Sequence, residues 1–161
     1  MKIAVIGGIG SGKSAVMDCL AQLGERTCDC DLIYREIMAQ PDYIELIDKN
    51  FGVVTDGKID ASELARQVFY DSKKLKLLNA LAHPRIFQRV ESIYNENLDK
   101  NLYVEVSAFD LDMAKYFDEI VYVKSETPNR IARVKVRNNF DEDYIMSIIS
   151  NQLSDEKMQA I

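Results

Sequence analysis

Cysteine is scarce in this chain of 161 residues: Cys19, Cys28 and Cys30 are odd in number and crowded near the N-terminus. Secreted domains stapled by disulfides do not look like that, so such a framework is excluded and an intracellular setting is expected. Histidine is scarcer still, with His83 alone, and no second ligand pair follows Cys28-Asp29-Cys30 at zinc spacing. The cysteines therefore read as small buried thiols, and no metal is assigned to them. No apolar run approaches the roughly 20 residues that a membrane span needs, and Met1-Lys2 leads straight into a strand without a signal-peptide core, so a cytoplasmic protein with no membrane partner is expected. Positive charge is in deficit, 20 Lys and Arg against 26 Asp and Glu for a net −6. Sequence-independent binding to nucleic acid, which wants clustered positive charge, is thereby disfavoured. No internal repeat, linker or low-complexity segment occurs, and no Asn-Lys-x-Asp guanine signature. The length suits one ordinary domain that buries about two thirds of its unfolded surface.

Glycine, also few in number, is concentrated where it matters. Gly7-Gly8-Ile9-Gly10-Ser11-Gly12-Lys13-Ser14 fits the pattern G-x-x-x-x-G-K-[ST] and follows the apolar run Ile3-Ala4-Val5-Ile6. A loop that turns sharply with its backbone N–H groups inward needs residues without a Cβ, both for the turn and for close approach of phosphate oxygens. Lys13 is placed to reach the β- and γ-phosphates, Ser14 to put its hydroxyl on Mg²⁺, and the following helix to offer its positive end to the anion. The competing reading, a glycine-rich turn with an incidental lysine, does not require strand, motif and helix in this order.

Further along, Ser14 to Leu23 has helical spacing at Val16, Met17, Leu20 and Leu23 and stops at Gly24. Arg26 to Asp31 reads as a second strand entering a helix at its far end, with Asp29 and Asp31 on one face near the strand's carboxyl end. Two such acids fit a nearby cation or a proton to be abstracted; they also fit solvated turn acids or a helix cap. From Pro41 to Leu98 the texture is amphipathic helix: Asp42 to Phe51, then Asp60 to about Phe69 with a capping box, then Ser72 to Ala82, broken at His83-Pro84 and restarted by Pro84. This helical insertion is expected to form a lobe beside the sheet that supplies part of an acceptor pocket. On pattern alone His83 reads as a packed or helix-capping residue. Leu102 to Val106 and Glu119 to Val123 are further strands, with a helical piece around Leu111 to Phe117 between them, and the alternation predicts a parallel sheet. Glu105, inside an apolar strand, is either an acid beside a metal or an edge residue facing water. Arg130, Arg133 and Arg137 share one helical face, open to an anion such as triphosphate or forming a solvated face with Arg130 paired to Glu126. Asp141-Glu142-Asp143 starts a last helix running past Gln152.

In order along nearly the whole chain, these parts resemble dephospho-coenzyme A kinases. The matching stretches are Gly7 to Ser14; Asp29-Cys30-Asp31-Leu32-Ile33-Tyr34-Arg35; Phe51-Gly52; Asp56-Gly57-Lys58-Ile59-Asp60; Val68-Phe69; His83-Pro84-Arg85-Ile86; and Arg133 to Arg137 with Gln152 fifteen positions on. The resemblance implies an α/β P-loop kinase fold, one domain with its core about 1–38 and 99–161, a helical acceptor lobe about 39–98 and a lid about 125–145. It implies transfer of phosphate from ATP, with Mg²⁺, to the ribose 3′-hydroxyl of dephospho-coenzyme A. Asp31 would then be the base, with Lys13 and Arg137 as the other catalytic residues. Gly8, Ile9, Gly10, Ser11, Gly12, Lys13, Ser14 and Arg133 would hold ATP, Ser14 the metal, and Asp29, Arg35, His83, Arg85 and Glu105 the acceptor. The pattern departs from the family at Glu105 to Asp110 and at Ile148-Ile149, and it ends at Ile161, before a segment usual in the family. The alternatives are another small-metabolite or nucleoside monophosphate kinase, or a nucleotide-binding module without catalysis.

Overall fold

Four parallel strands in the order β2-β5-β1-β6 carry the larger part of the chain: β1 (Lys2–Ile6), β2 (Arg26–Asp29), β5 (Leu102–Val106) and β6 (Glu119–Tyr122). They belong to a computed structural model describing residues 1–161. Ala4, Val5 and Ile6 are fully buried, as a strand covered on both faces must be, which is why β1 reads as an unbroken apolar run. The chain leaves β1 toward β2 on one side and comes back with β6 on the other. The carboxyl end of β1 is thus where the strand order switches, the place where open α/β sheets bind ligands. The predicted parallel sheet is present.

The chain divides into two compact units, one made of Met1–Cys30 with Ile93–Ile161, the other of Asp31–Ser92. The first holds the sheet with α1 (Lys13–Gln22), a short 3₁₀ helix (Leu111–Tyr116), α6 (Thr127–Asn138), α7 (Glu142–Asn151) and α8 (Asp155–Gln159). Gly24, at φ 82°, terminates the first helix region as its sequence implies.

Helix α2 (Cys30–Met38) starts earlier than its sequence suggests. Cys30, Ile33 and Ile37 are buried at helical spacing, so Cys30 belongs to the helix stripe and not to the strand. Asp29 is therefore the last strand residue and Asp31 lies in the first helical turn, where an acid suits the helix dipole. The expectation that the two share one strand face is corrected on that ground.

The second unit contains α3 (Pro41–Phe51), a hairpin of β3 (Val54–Thr55) and β4 (Lys58–Ile59), and α4 (Ala61–Phe69). The hairpin is an addition to the predicted elements, although Asp56-Gly57 is the two-residue turn that favours one; both residues have positive φ, 50° and 72°. The Asp60 carboxylate accepts from the Glu63 N–H at 3.0 Å, the cap that the sequence announces. One helix, α5 (Ser72–Asn95), runs through Pro84, where the sequence predicts a break. Proline removes a single helical hydrogen bond, and burial of Ala82, Ile86, Phe87 and Val90 on both sides of it outweighs that loss. Beneath α3, Tyr43 is fully buried, its hydroxyl 3.3 Å from that of Tyr34.

Candidate active site

The loop between β1 and α1 is held from three directions. Gly12 caps α1 in the left-handed region at φ 107°, which only glycine adopts without strain. At Gly8 the reason is space: a Cβ there would lie 2.0 Å from an Arg130 guanidinium nitrogen. The glycine freedom that the sequence assigns to phosphate approach is, at this position, needed equally for packing against α6. Lys13 is 7% exposed, and its Nζ donates to the carbonyls of Gly7 at 2.9 Å and Gly8 at 3.4 Å. Its ammonium is thereby gathered under the loop at the positive end of α1.

Ser14, next in the helix, donates its hydroxyl to Glu105 Oε1 at 3.3 Å. Glu105 lies on β5 between β1 and β2, in register with Asp29, so the edge-strand reading is set aside because the sheet has a strand on each side of it. In-register neighbours of a sheet share a face, which puts Asp29 on the same face as the Glu105 that meets the Ser14 hydroxyl. No group of three or more His, Cys, Asp or Glu side chains forms a metal cage. A hydroxyl and one or two carboxylates nevertheless suit Mg²⁺, which keeps several waters and takes the rest of its ligands from phosphates.

Helix α6 supplies the outer brace. Arg130, only 4% exposed, donates from Nε to the Ile9 carbonyl at 2.9 Å and lies 3.7 Å from Asp155 Oδ1. The alternative of a solvated face with Arg130 paired to Glu126 gives way to this long-range pairing, since Arg130 is buried and points into the loop. Arg133 donates from one guanidinium nitrogen to the Gly10 carbonyl at 3.1 Å, the Ser11 carbonyl at 3.2 Å and the Ser125 hydroxyl at 3.2 Å. Arg137, one turn on, is exposed and hydrogen-bonds its neighbour Asn138. Of the three arginines on one sequence face, the first two thus grip the loop and the third does not.

The sequence pattern carries the last helix past Gln152, but α7 stops at Asn151 and Gln152 turns extended. Its Oε1 accepts from the Ile9 N–H at 2.8 Å. Sequence reasoning sets Gln152 on that helix and matches it by resemblance but gives it no role; it misses Asp155 and Tyr122, whose hydroxyl donates to Asp155 at 2.6 Å, because nothing local marks them. Burial and the Asp155 carboxylate push the Tyr122 hydroxyl up to about 12.

The remaining predicted residues lie in the other unit. Asp31 and Arg35 are exposed on α2. His83, half-buried, packs edge-on against Phe87 at 6.1 Å in mid-helix, so the capping reading fails with the continuity of α5. Arg85 donates to Asp42 at 2.6 Å and lies over the Tyr43 ring, 5.3 Å from its centre.

A family model described as dephospho-CoA kinase matches residues 1–161, the entire chain. The chain belongs to the dephospho-CoA kinase family. Membership makes it a phosphotransferase, in keeping with a phosphate loop at the switch point of the sheet. The dephospho-CoA kinase of Corynebacterium jeikeium is 34% identical over 160 residues, covering 94% of this chain and 81% of that one. That of Fusobacterium nucleatum is 31% identical, with 98% and 83% covered. A crystal structure from Thermus thermophilus superimposes with a TM-score of 0.89 at 25% identity, over 99% of this chain and 84% of that one. The dephospho-CoA kinase from Campylobacter jejuni shares the fold, with a TM-score of 0.57 at 20% identity over 99% and 83%. No helix is long and apolar enough to cross a membrane.

Proposed function

We propose that this protein transfers the terminal phosphoryl group of ATP to the ribose 3′-hydroxyl of dephospho-coenzyme A, giving coenzyme A and ADP. The observation that carries the reading is the family match along the whole chain, in register with a loop whose lysine and serine sit at the head of α1. Phosphoryl transfer asks chiefly for positioning and for neutralisation of charge on the moving group. Gly8 to Ser14 would cradle the phosphates, and Lys13 would release the loop carbonyls to meet the negative charge that develops. Mg²⁺ would be held by Ser14, with Asp29 and Glu105 beside it, and when bound it supplies further neutralisation of the phosphates. Arg133, already on the loop, and Arg137, exposed at the end of α6, would close over the transferring group. Asp31 would take the proton of the attacking hydroxyl; it is an exposed carboxylate immediately beyond the strand that ends at Asp29. His83, Arg35 and Arg85 would contact the acceptor, with no nucleic-acid or membrane partner and a cytoplasmic setting.

Incubation with Mg-ATP and a panel of acceptors tests this. ADP release should depend on dephospho-coenzyme A, whereas turnover of AMP or CMP without turnover of dephospho-coenzyme A defeats the proposal. Asp31→Asn should lower kcat by about 10²- to 10⁴-fold with ATP affinity retained. Unchanged turnover removes Asp31 from the role of base.

A further inference from the structure

Residue 9 of the loop is held at both of its backbone polar groups. Its N–H donates to Gln152 Oε1 at 2.8 Å and its carbonyl accepts from Arg130 Nε at 2.9 Å. The two holders meet each other, Arg130 Nη2 lying 3.4 Å from the same Gln152 oxygen. Behind them Asp155 faces Arg130 at 3.7 Å and accepts from the Tyr122 hydroxyl at 2.6 Å. A guanidinium buried to this degree is costly unless its donors and its charge are matched, and here the matching comes from a loop carbonyl, an amide and a carboxylate. The break in α7 after Asn151 is what frees Gln152 to leave the helix axis and reach the loop.

Of the loop N–H groups after residue 9, that of Ser11 is given to the Gly8 carbonyl at 3.1 Å; the directions of the others toward an anion depend on how the preceding peptide is set. We infer that Gln152 and Arg130, backed by Asp155, are positioning residues that fix the Ile9 peptide and thereby set the affinity of the loop for nucleotide phosphates without touching them. The stretch from Gln152 to Asp155, between α7 and α8, is in this way part of the nucleotide site. The inference rests on the ATP reading of the loop given above, and its test separates the two.

Gln152→Met keeps length and bulk and deletes the acceptor, whereas Gln152→Glu keeps an acceptor facing Arg130. The full chain is assayed for hydrogen exchange at the Ile9 amide without nucleotide, for the Kd of Mg-ATP by calorimetry, and for kcat and KM. One hydrogen bond lost should speed exchange at Ile9 and weaken Mg-ATP binding by about tenfold each. KM for ATP should move more than kcat, and Gln152→Glu should return both readouts to near the parent values. Parent-like exchange and Kd in Gln152→Met overturn the inference, as does equal damage by both substitutions, which marks a packing role alone. If Gln152→Met folds poorly, Asp155→Asn decides on the same readouts: a loosened Ile9 amide supports the clamp and an unmoved one overturns it. A parent protein that fails to bind Mg-ATP defeats the ATP reading, while Ile9 exchange still judges the clamp.

Discussion

The phosphate-loop unit and the helical unit are stabilised over different distances along the chain. In the first, the loop backbone is tied to Arg130, Arg133 and Gln152, partners 121 to 143 residues away. In the second, several polar ties join residues three or four apart, such as Glu63 with Arg66 and Asp60 with the Glu63 N–H. A long-range tie fixes a geometry that the local chain would not adopt; a local one only reinforces a helix that its own pattern already favours. It follows that substitutions in the loop unit should separate activity from stability, whereas those at the local ties of the helical unit, away from Asp31, Arg35, His83 and Arg85, should move stability alone.

Lys13→Met is the most severe test of that contrast. It preserves the buried stem and removes the ammonium, together with its bonds to the Gly7 and Gly8 carbonyls. If the charge serves the transferring phosphoryl group, kcat should fall by about 10³-fold, the scale for removing a preorganised charge donor. The melting temperature should shift far less in proportion. A loss of activity no larger than the loss of folded protein would make Lys13 an architectural lysine and erase the difference between the units.

The same contrast explains which features are legible in the sequence. Strand β1, the loop and the start of α1 follow from contiguous residues, because apolar runs and glycine spacing are local signals. The Asp60 cap and the Gly52 stop of α3, with φ 63°, are legible for the same reason. Pro84 misleads because its local cost is fixed while the compensating burial of Ala82, Ile86, Phe87 and Val90 depends on tertiary packing. Asp29 and Asp31 are wrongly assigned to one face because Cys30 suits a strand or a helix stripe equally well until its neighbours are known. The roles of Arg130, Gln152 and Asp155 lie out of reach, since each is defined by a partner more than 20 positions off.

Two glycines sharpen the comparison at a smaller scale. Gly10 and Gly24 both have left-handed φ, 73° and 82°. An added Cβ at Gly10 would meet the Arg130 carbonyl at 2.6 Å and Val134 Cγ2 at 2.9 Å, and at Gly24 it would meet nothing within 4 Å. Gly24→Ala should therefore cost only the backbone strain, about 1–2 kcal/mol. Gly10→Ala adds overpacking against α6 for a sum of about 2–5 kcal/mol, and it should weaken nucleotide binding as well. Urea unfolding of both variants measures this, and equal costs would show that α6 yields to the loop where a brace should resist.

The smallest expected effect is on pH, and there the two units should fail at opposite ends. In the helical unit the Arg66 guanidinium hydrogen-bonded to Glu63 holds that carboxyl down to about 2, and Arg85 holds Asp42 below its usual range. Depressed carboxyls contribute stability that is present above their unfolded values near 4 and is lost as pH falls through the folded ones, so this contribution erodes from about pH 4.5 toward 2. In the loop unit the sign is reversed. Tyr122 is raised from 10 to about 12, so its contribution is intact below pH 10 and disappears as pH climbs toward 12. Melting temperature followed against pH should show both limbs, with Glu63→Gln shrinking only the acid one, to which Asp42 still contributes, and Tyr122→Phe only the alkaline one. Because both acid-side pairs are solvent-exposed, the acid limb should also shrink in high salt, whereas the Tyr122–Asp155 bond, drawn in behind Arg130, should hold its limb against salt. Salt that flattened both limbs alike would place Tyr122 among surface contacts and remove the network behind the loop from the account of what keeps Arg130 in place.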